Sequence, residues 1–238
     1  MKKKAIVTGA SSGIGEAVSK ELIENGYFVF GIARDFKKSS IFDEDFEQII
    51  CDITDTKKLE TIIKEITDSS EISLLVNNAG IGHFGMHEDI KIEDIEKMAR
   101  LNFIAPMVLS KLLIKPLKKT KGKIIHIASA SALKPSPFGS AYSATKAGLI
   151  QFSESLFEEV RKNGIQSIVI SPDITNTAFF NKLSFYPDDD KLASLMAKDI
   201  AQNIIWLINN PQNVAITHLQ LKPQLNKIAK RKNRESDE

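Results

Sequence analysis

A doubly wound α/β domain, with a parallel seven-stranded sheet covered by helices on both faces, is what this sequence predicts, and three observations carry the prediction. Short β-branched runs alternate with longer amphipathic stretches along the chain, the signature of repeated strand and helix units joined by right-handed crossovers. The runs are apolar almost throughout and not at every second position, as in strands buried on both faces. No Pro/Gly/Ser-rich linker and no internal repeat divides the series, so residues 1–222 read as one domain. Lys4-Ala-Ile-Val-Thr8 is the first strand, and Ile14, Ala17, Val18 and Leu22 follow it at helical spacing. Tyr27 to Ile32, Glu47 to Cys51, Ile72 to Val76, Lys123 to Ala128, Ile165 to Ile170 and Val214 to Leu221 are the next six. Most lead into helical patterns, including Asn102 to Leu117 and Tyr142 to Lys162.

Composition narrows the class. The 238 residues are 42% hydrophobic and 26% charged, with a formal net charge of +2, so no whole-molecule field draws the chain to nucleic acid. Charged residues interrupt every long apolar stretch, which argues against a membrane span. The basic start runs through Ala5 to Thr8 into Gly9, too short an apolar run for an export signal. One cysteine, Cys51, rules out an internal disulfide. A cytoplasmic protein is the expectation. From Lys222 onward six Lys or Arg residues face three acids; residues 223–238 therefore read as a flexible, solvated basic tail.

Thr8-Gly9-Ala10-Ser11-Ser12-Gly13-Ile14-Gly15 lies between the first strand and the first helix. Its glycines permit a sharp turn and a close backbone approach, and the helix behind it offers unpaired N–H groups and a positive dipole end. A dinucleotide pyrophosphate suits such a place, although the spacing differs from the general Gly-x-Gly-x-x-Gly fingerprint. The arrangement closely resembles the cofactor loop of the short-chain dehydrogenases/reductases, which reads Thr-Gly-x-x-x-Gly-Ile-Gly. Two further motifs match in order: Asn77-Asn78-Ala79-Gly80 directly after the fourth strand, and Ser129 at the end of the fifth, ahead of Tyr142-Ser-Ala-Thr-Lys146. The resemblance implies a single Rossmann-type oxidoreductase domain that interconverts a carbonyl and an alcohol.

Four residues on, Lys146 falls on the same helix face as Tyr142, near a helix start whose dipole favours an anion. The resemblance implies that Tyr142 is the general acid/base, that Lys146 tunes it and holds the nicotinamide ribose, and that Ser129 orients the substrate oxygen. A free phenol of pKa about 10 must be drawn towards neutrality for this work, about 3–4 kcal/mol of preferential phenolate stabilisation. The Lys146 ammonium is expected to lower it. Asn102 matches the family asparagine of a water-borne proton relay, with a helix-packing role as the open alternative.

The same resemblance implies cofactor contacts at Gly9, Ser11, Ser12, Gly13, Ile14 and Gly15 in the first turn. Asn78, Ala79 and Gly80 follow in the second, with Tyr142 and Lys146 at the ribose. At the end of the second strand the family's NAD-selecting acid position is Ala33, and Arg34 follows with a fork suited to phosphate. NADP(H) is therefore expected over NAD(H). Asp35 beside Arg34, and Ser12 where many NADP-dependent relatives are basic, weigh the other way. Asp52, with Ile53, matches the adenine contact; a carboxylate capping the Thr54 region is the alternative.

Pro172, Thr175 and Thr177 match the nicotinamide side, where Pro172-Asp173 departs from the family's Pro-Gly. The finish from Pro211 to Leu221 lacks the usual glycines and resembles a subgroup acting on small hydroxy acids or related carbonyls. Family pairing through the two long helices implies a homo-oligomer, dimer or tetramer.

Phe179, Phe180, Phe185 and Tyr186 fall in the segment that forms a lid in relatives, and pocket wall and core filler are both open readings. His83 and His87, separated by Gly85, are a poor metal pair and read as pocket-wall residues; no metal site is expected. The leading function is an NADP(H)-dependent oxidoreductase acting on a small ketone or hydroxy acid, with no nucleic-acid or membrane partner. A catalytically weak nucleotide-binding sensor or scaffold is the alternative, motivated by Asp173. A nucleic-acid binder using Lys222 to Arg234 ranks last, because the basic tail is short.

Overall fold

In the computed structural model, which describes residues 2–230, the first strand is laid down inside the sheet and the chain winds outward from it twice. The first half comprises β1 (Lys3–Thr8), α1 (Gly13–Glu24), β2 (Tyr27–Ala33), β3 (Phe46–Ile50), α2 (Thr56–Ser69) and β4 (Ile72–Asn77). The second continues through α3 (Ile92–Ala99), α4 (Ala105–Thr120), β5 (Lys123–Ile127), α5 (Ser140–Val160) and β6 (Gln166–Pro172). Three short strands, β7 (Thr175–Asn176), β8 (Phe185–Pro187) and β9 (Leu195–Met196), precede α6 (Ala197–Ile208), β10 (His218–Leu221) and β11 (Ile228–Lys230). Seven strands pair in the order β10-β6-β5-β4-β1-β2-β3, all parallel.

Two apolar layers hold the sheet. In β1, Ile6 points to the side where α2, α4 and α5 bring Leu59, Leu109, Leu113 and Leu156. Its neighbours Ala5 and Val7 point to the opposite side, against Val18 and Leu22 of α1 and Ile200 and Ile204 of α6. Each such side chain contributes about 1.5–3 kcal/mol by leaving water, and alternation along one strand feeds both layers. Because β2 and β4 flank β1 on opposite sides, the strand order reverses there. A crevice opens at the carboxyl ends of β1 and β4, the general ligand position of such sheets.

The seven expected strands are all present, with ends shifted by one or two residues except the last. That strand starts at His218 and not at Val214. Upstream of it the Val214 amide closes a turn on the Pro211 carbonyl, and the Gln166 side chain donates to the carbonyls of Gln212 and Val214. The backbone there is thus satisfied without strand pairing. The expected helix from Asn102 instead begins at Ile92 and passes through a π-turn at Arg100–Ile104 before α4. Pro106 supplies a reason: it has no N–H to donate four residues back, so a regular α-helical ladder is interrupted beside Asn102.

The basic tail also needs correction. The Leu225 amide donates to the Leu192 carbonyl, Lys227 pairs with Asp190 at 2.9 Å, and β11 runs antiparallel to β8. Up to Lys230 it is therefore tied to the body of the protein, because extended backbone groups there find a strand edge to pair with. Residues 231–238 of the expected tail lie outside the described residues.

A buried polar cluster interrupts the apolar layers. His126 on β5 faces Asn77 on β4, with 3.3 Å between its Nδ1 and the Asn77 amide nitrogen, and Ser110 of α4 is also in reach of that amide. Burial, aided by the Lys146 charge, pushes the imidazole down to about 3. An unfolded chain protonates this ring near pH 6.5. Between those values the unfolded state binds the extra proton, so folding stability falls as the pH drops from 6.5 towards 3. His126→Gln should remove about 3 kcal/mol of the loss between pH 7 and pH 4, read from urea midpoints at both pH values. Identical pH dependence in the two proteins would contradict a buried neutral ring.

Candidate active site

The crevice is built by two turns bolted together. Thr8, the last residue of β1, accepts at its hydroxyl the amides of Asn78 (3.0 Å) and Ala79 (3.1 Å). The Asn78 side chain donates in return to the Thr8 carbonyl at 2.9 Å. On the other flank the Gly9 amide donates to Ile32 at the end of β2, 2.8 Å away. Gly9 and Gly13 have φ of +67° and +58°, values that a side chain makes costly. A Cβ on Gly15 would run into the Gly9 carbonyl and the Asn78 amide. Ser12 takes the N-cap position of α1 without a side-chain hydrogen bond to the helix. The first amides of α1 therefore face the crevice beside a glycine cradle, the setting that suits a pyrophosphate.

Across the crevice stand the serine, tyrosine and lysine that the sequence singles out. Ser129 ends the stretch after β5, and its hydroxyl bonds that of Ser131 (2.9 Å) and lies close enough to the Tyr142 phenol to favour its anion. Tyr142 and Lys146 lie one turn apart on α5, and both are buried, at 8% and 4% exposure. The Lys146 ammonium donates to the Ile127 carbonyl at the end of β5, 2.8 Å away. Asn102, on the π-turn, donates to the Ile81 carbonyl (2.8 Å) and the Thr145 hydroxyl (3.2 Å) and accepts the Ile81 amide (2.9 Å). A Cβ on Gly80 would lie 3.2 Å from the Asn102 carbonyl oxygen and 3.3 Å from the Lys146 nitrogen. Gly80 is thus the gap through which both groups reach the crevice.

The expected depression of the tyrosine does not occur in this state. Burial pushes the Tyr142 phenol up to about 12, and the nearby Ser129 hydroxyl opposes it only in part. Burial also brings Lys146 down to about 8. The physical reason is an aromatic cover. Phe84 packs 5.1 Å from the Tyr142 ring and Phe179 packs 6.0 Å from it, while Phe185 meets Phe84 edge-on at 5.2 Å. Excluding water penalises the phenolate more than the present neighbours stabilise it.

The lid aromatics left open by the sequence are therefore joined to the site, with Phe180 bridging Phe179 and Phe185 at 5.3 and 5.7 Å. A cavity of about 890 Å³ lies along the same segment, lined by Thr177, Phe180, Tyr186 and Asp188 among others. None of Ser129, Tyr142 and Lys146 lines it.

Arg34 is exposed immediately after β2; against desolvation by burial, the Thr54 amide and hydroxyl, with a smaller share from the Arg34 charge, hold the Asp52 carboxyl below its usual range. Asp52 accepts the Thr54 amide and hydroxyl at 2.9 and 2.7 Å, the local turn that the sequence allowed as an alternative. Ile53 is buried beneath it. Thr177 lies against Gly13, whose Cβ would sit 3.5 Å from it, so this residue faces the glycine turn. Thr175 bonds back to the Asp173 carbonyl, and the Asp173 carboxylate accepts the Ile174 amide at 2.8 Å, closing the turn after Pro172. His83 contacts Asp94 and His87 contacts Ser140, each a separate local pair.

Sequence reasoning missed Phe84, the hub of the aromatic cover, because a lone phenylalanine between glycines carries no periodic signal. It also missed Thr145 and Ser131, whose bonds depend on how distant segments meet. Thr8 was visible inside the motif, and its position at a strand end was the available clue.

Comparison with known proteins agrees with this geometry. The short chain dehydrogenase family model matches residues 3–185. The 3-oxoacyl-acyl-carrier-protein reductase FabG of Haemophilus influenzae is 32% identical over 223 residues, covering 87% of this chain and 91% of its own. Serine 3-dehydrogenase of Agrobacterium fabrum is 28% identical over 230 residues, 92% of each chain. Among solved structures, ElxO with NADP bound superposes with a TM-score of 0.83 at 27% identity, covering 93% of this chain and 97% of that one.

The crowding at Gly15 gives a direct test. Gly15→Ala should lower stability by about 2 kcal/mol, overpacking outweighing the helix preference for alanine. Gly26→Ala, where a Cβ meets nothing but φ is +80°, should cost about 1 kcal/mol. Urea unfolding of both variants checks the order; equal losses would remove the steric claim.

Proposed function

Because the chain belongs to the short-chain dehydrogenase family, we propose that it is an NADP(H)-dependent oxidoreductase that interconverts a carbonyl and a secondary alcohol, with Tyr142 as general acid/base. One observation carries the reading: Tyr142 and Lys146 lie one helical turn apart and buried, the Ser129 hydroxyl is close enough to the phenol to favour its anion, and the Lys146 ammonium reaches the crevice past Gly80. The nicotinamide supplies or accepts the hydride when bound. Gly9, Ser11, Ser12, Gly13, Ile14 and Gly15 would hold the pyrophosphate through backbone amides. Asn78, Ala79 and Gly80 would line the path to the nicotinamide, with Pro172, Thr175 and Thr177 on its far side.

The phenol, pushed up to about 12, keeps its proton at neutral pH. It is therefore in the donor form, the form that protonates a carbonyl oxygen during reduction. Ser129 donates to the same oxygen as negative charge grows there. Lys146 still carries most of its charge near neutrality, at about 8; beside a forming phenolate it stabilises the spent acid. Asn102 would link that ammonium to solvent through a water, while its committed bonds keep the π-turn against Ile81. ElxO, which binds NADP, and Arg34 beside an alanine where an acid would select NAD together support NADP(H). The two relatives, an oxoacyl reductase and a serine dehydrogenase, support a small ketone or hydroxy acid as substrate.

Two measurements test this. NADPH oxidation with a panel of ketones and keto acids should fall at least about 100-fold in Tyr142→Phe, with NADPH affinity unchanged. A variant that keeps full turnover would defeat the proposed acid. Arg34→Ala should cut the preference for NADPH over NADH by about tenfold, the worth of one charge-assisted contact. An unchanged ratio would place phosphate recognition elsewhere.

A further inference from the structure

The lid and the C-terminal segment form one small assembly that the chemistry above does not use. Between β7 and β9 the chain leaves the main sheet, and the lid carries Phe179, Phe180 and Phe185. β11 runs antiparallel to β8, with Ile228 opposite Pro187, Ala229 opposite Tyr186 and Lys230 opposite Phe185. Lys227 meets Asp190 at 2.9 Å, and the Leu225 amide donates to Leu192 at 2.8 Å. Three successive contacts therefore fasten residues 225–230 along the lid from Leu192 back to Phe185. From Phe185 contact continues inward, 5.2 Å to Phe84 and then 5.1 Å to Tyr142.

We propose that the C-terminal strand Ile228–Lys230 is a positioning element of the active site: through β8 it sets Phe185 against Phe84, which packs on Tyr142, forming a wall for an apolar substituent on the carbonyl substrate. The proposal rests on the reading of Tyr142 given above. Two three-residue strands have little pairing energy apart from each other, and an isolated pair of strands is marginal in water. The register of β8 thus depends on β11, whose loss leaves Phe185 with no strand partner behind it. The exposed ion pair adds little to affinity and mainly sets the register. The faces offered to a substrate are ring edges and faces, so an aryl or branched alkyl group fits better than a second carboxylate.

The test uses the full chain. Ala229→Pro removes one strand N–H and constrains the backbone within β11, and Lys227→Glu sets two acids against each other at the fastening. Hydrogen exchange should show lid amides from 178 to 192 opening about tenfold faster in Ala229→Pro, and less so in Lys227→Glu, with amides of β1, β4 and β5 unchanged. With acetophenone as probe, the loss in kcat/KM should appear in KM, while acetone, too small to reach the wall, should show little change. NADPH binding should be unaltered. Lid exchange that does not change, or acceleration shared equally by the central strands, overturns the positioning role. A loosened lid with an unchanged acetophenone KM overturns the apolar wall. If neither wild type nor variants turn over any carbonyl, the proposed function fails, and the exchange data still decide whether β11 holds the lid.

Discussion

The Thr8 hydroxyl is the point on which the site depends. It sits at the end of β1 and receives two amides from the turn after β4, so the two halves of the winding are joined where the sheet divides. Without that joint the two turns would be held together only by the Asn78 side chain and the pairing of β1 with β4. With it, Gly9, Gly15 and Asn78 pack so closely that no Cβ fits at Gly15. The constraint is steric and polar at once: the backbone groups of one turn satisfy those of the other, and the crowding excludes alternatives.

A second constraint follows from water exclusion. The aromatic cover that makes a dry site around Tyr142 also withholds solvent from its anion, so the group is held as an acid. Lys146 responds in the opposite sense, because the same burial penalises its cation. Expecting the lysine charge to dominate treated the pair as if it stood in water. Desolvation is the larger influence here, and it acts on both partners.

Much of the fold was legible because parallel strands announce themselves as mostly apolar runs: Ile72-Ser-Leu-Leu-Val76 and Lys123 to Ile127 carry few polar residues and need no context to be read. The glycine turn and Ser129, Tyr142 and Lys146 stand out in the sequence for another reason: serine and lysine are common in this chain, and it is their order and spacing together that single them out. What escaped was whatever depends on meetings between distant segments. Pro106 was visible in the sequence, yet its effect on Asn102 required knowing that the helix begins ten residues earlier, at Ile92. Phe84 looks like a loop residue until Phe185 and Tyr142 are placed around it. Composition misjudged the tail as well, because charge counts do not register that Ile228-Ala-Lys230 finds a strand to pair with.

The π-turn at Arg100–Ile104 alters how the chain tolerates length changes. An extra residue in one turn rotates everything before it by about 100° relative to everything after it. Met98, which accepts the His83 amide, and the stripe of Leu109, Leu113 and Leu117 under the sheet belong to the two sides of that rotation. The five residues of the turn thus act as a phase adjuster between two helical faces with different duties. Deleting one of them would leave a smoother helix in which one face or the other points the wrong way.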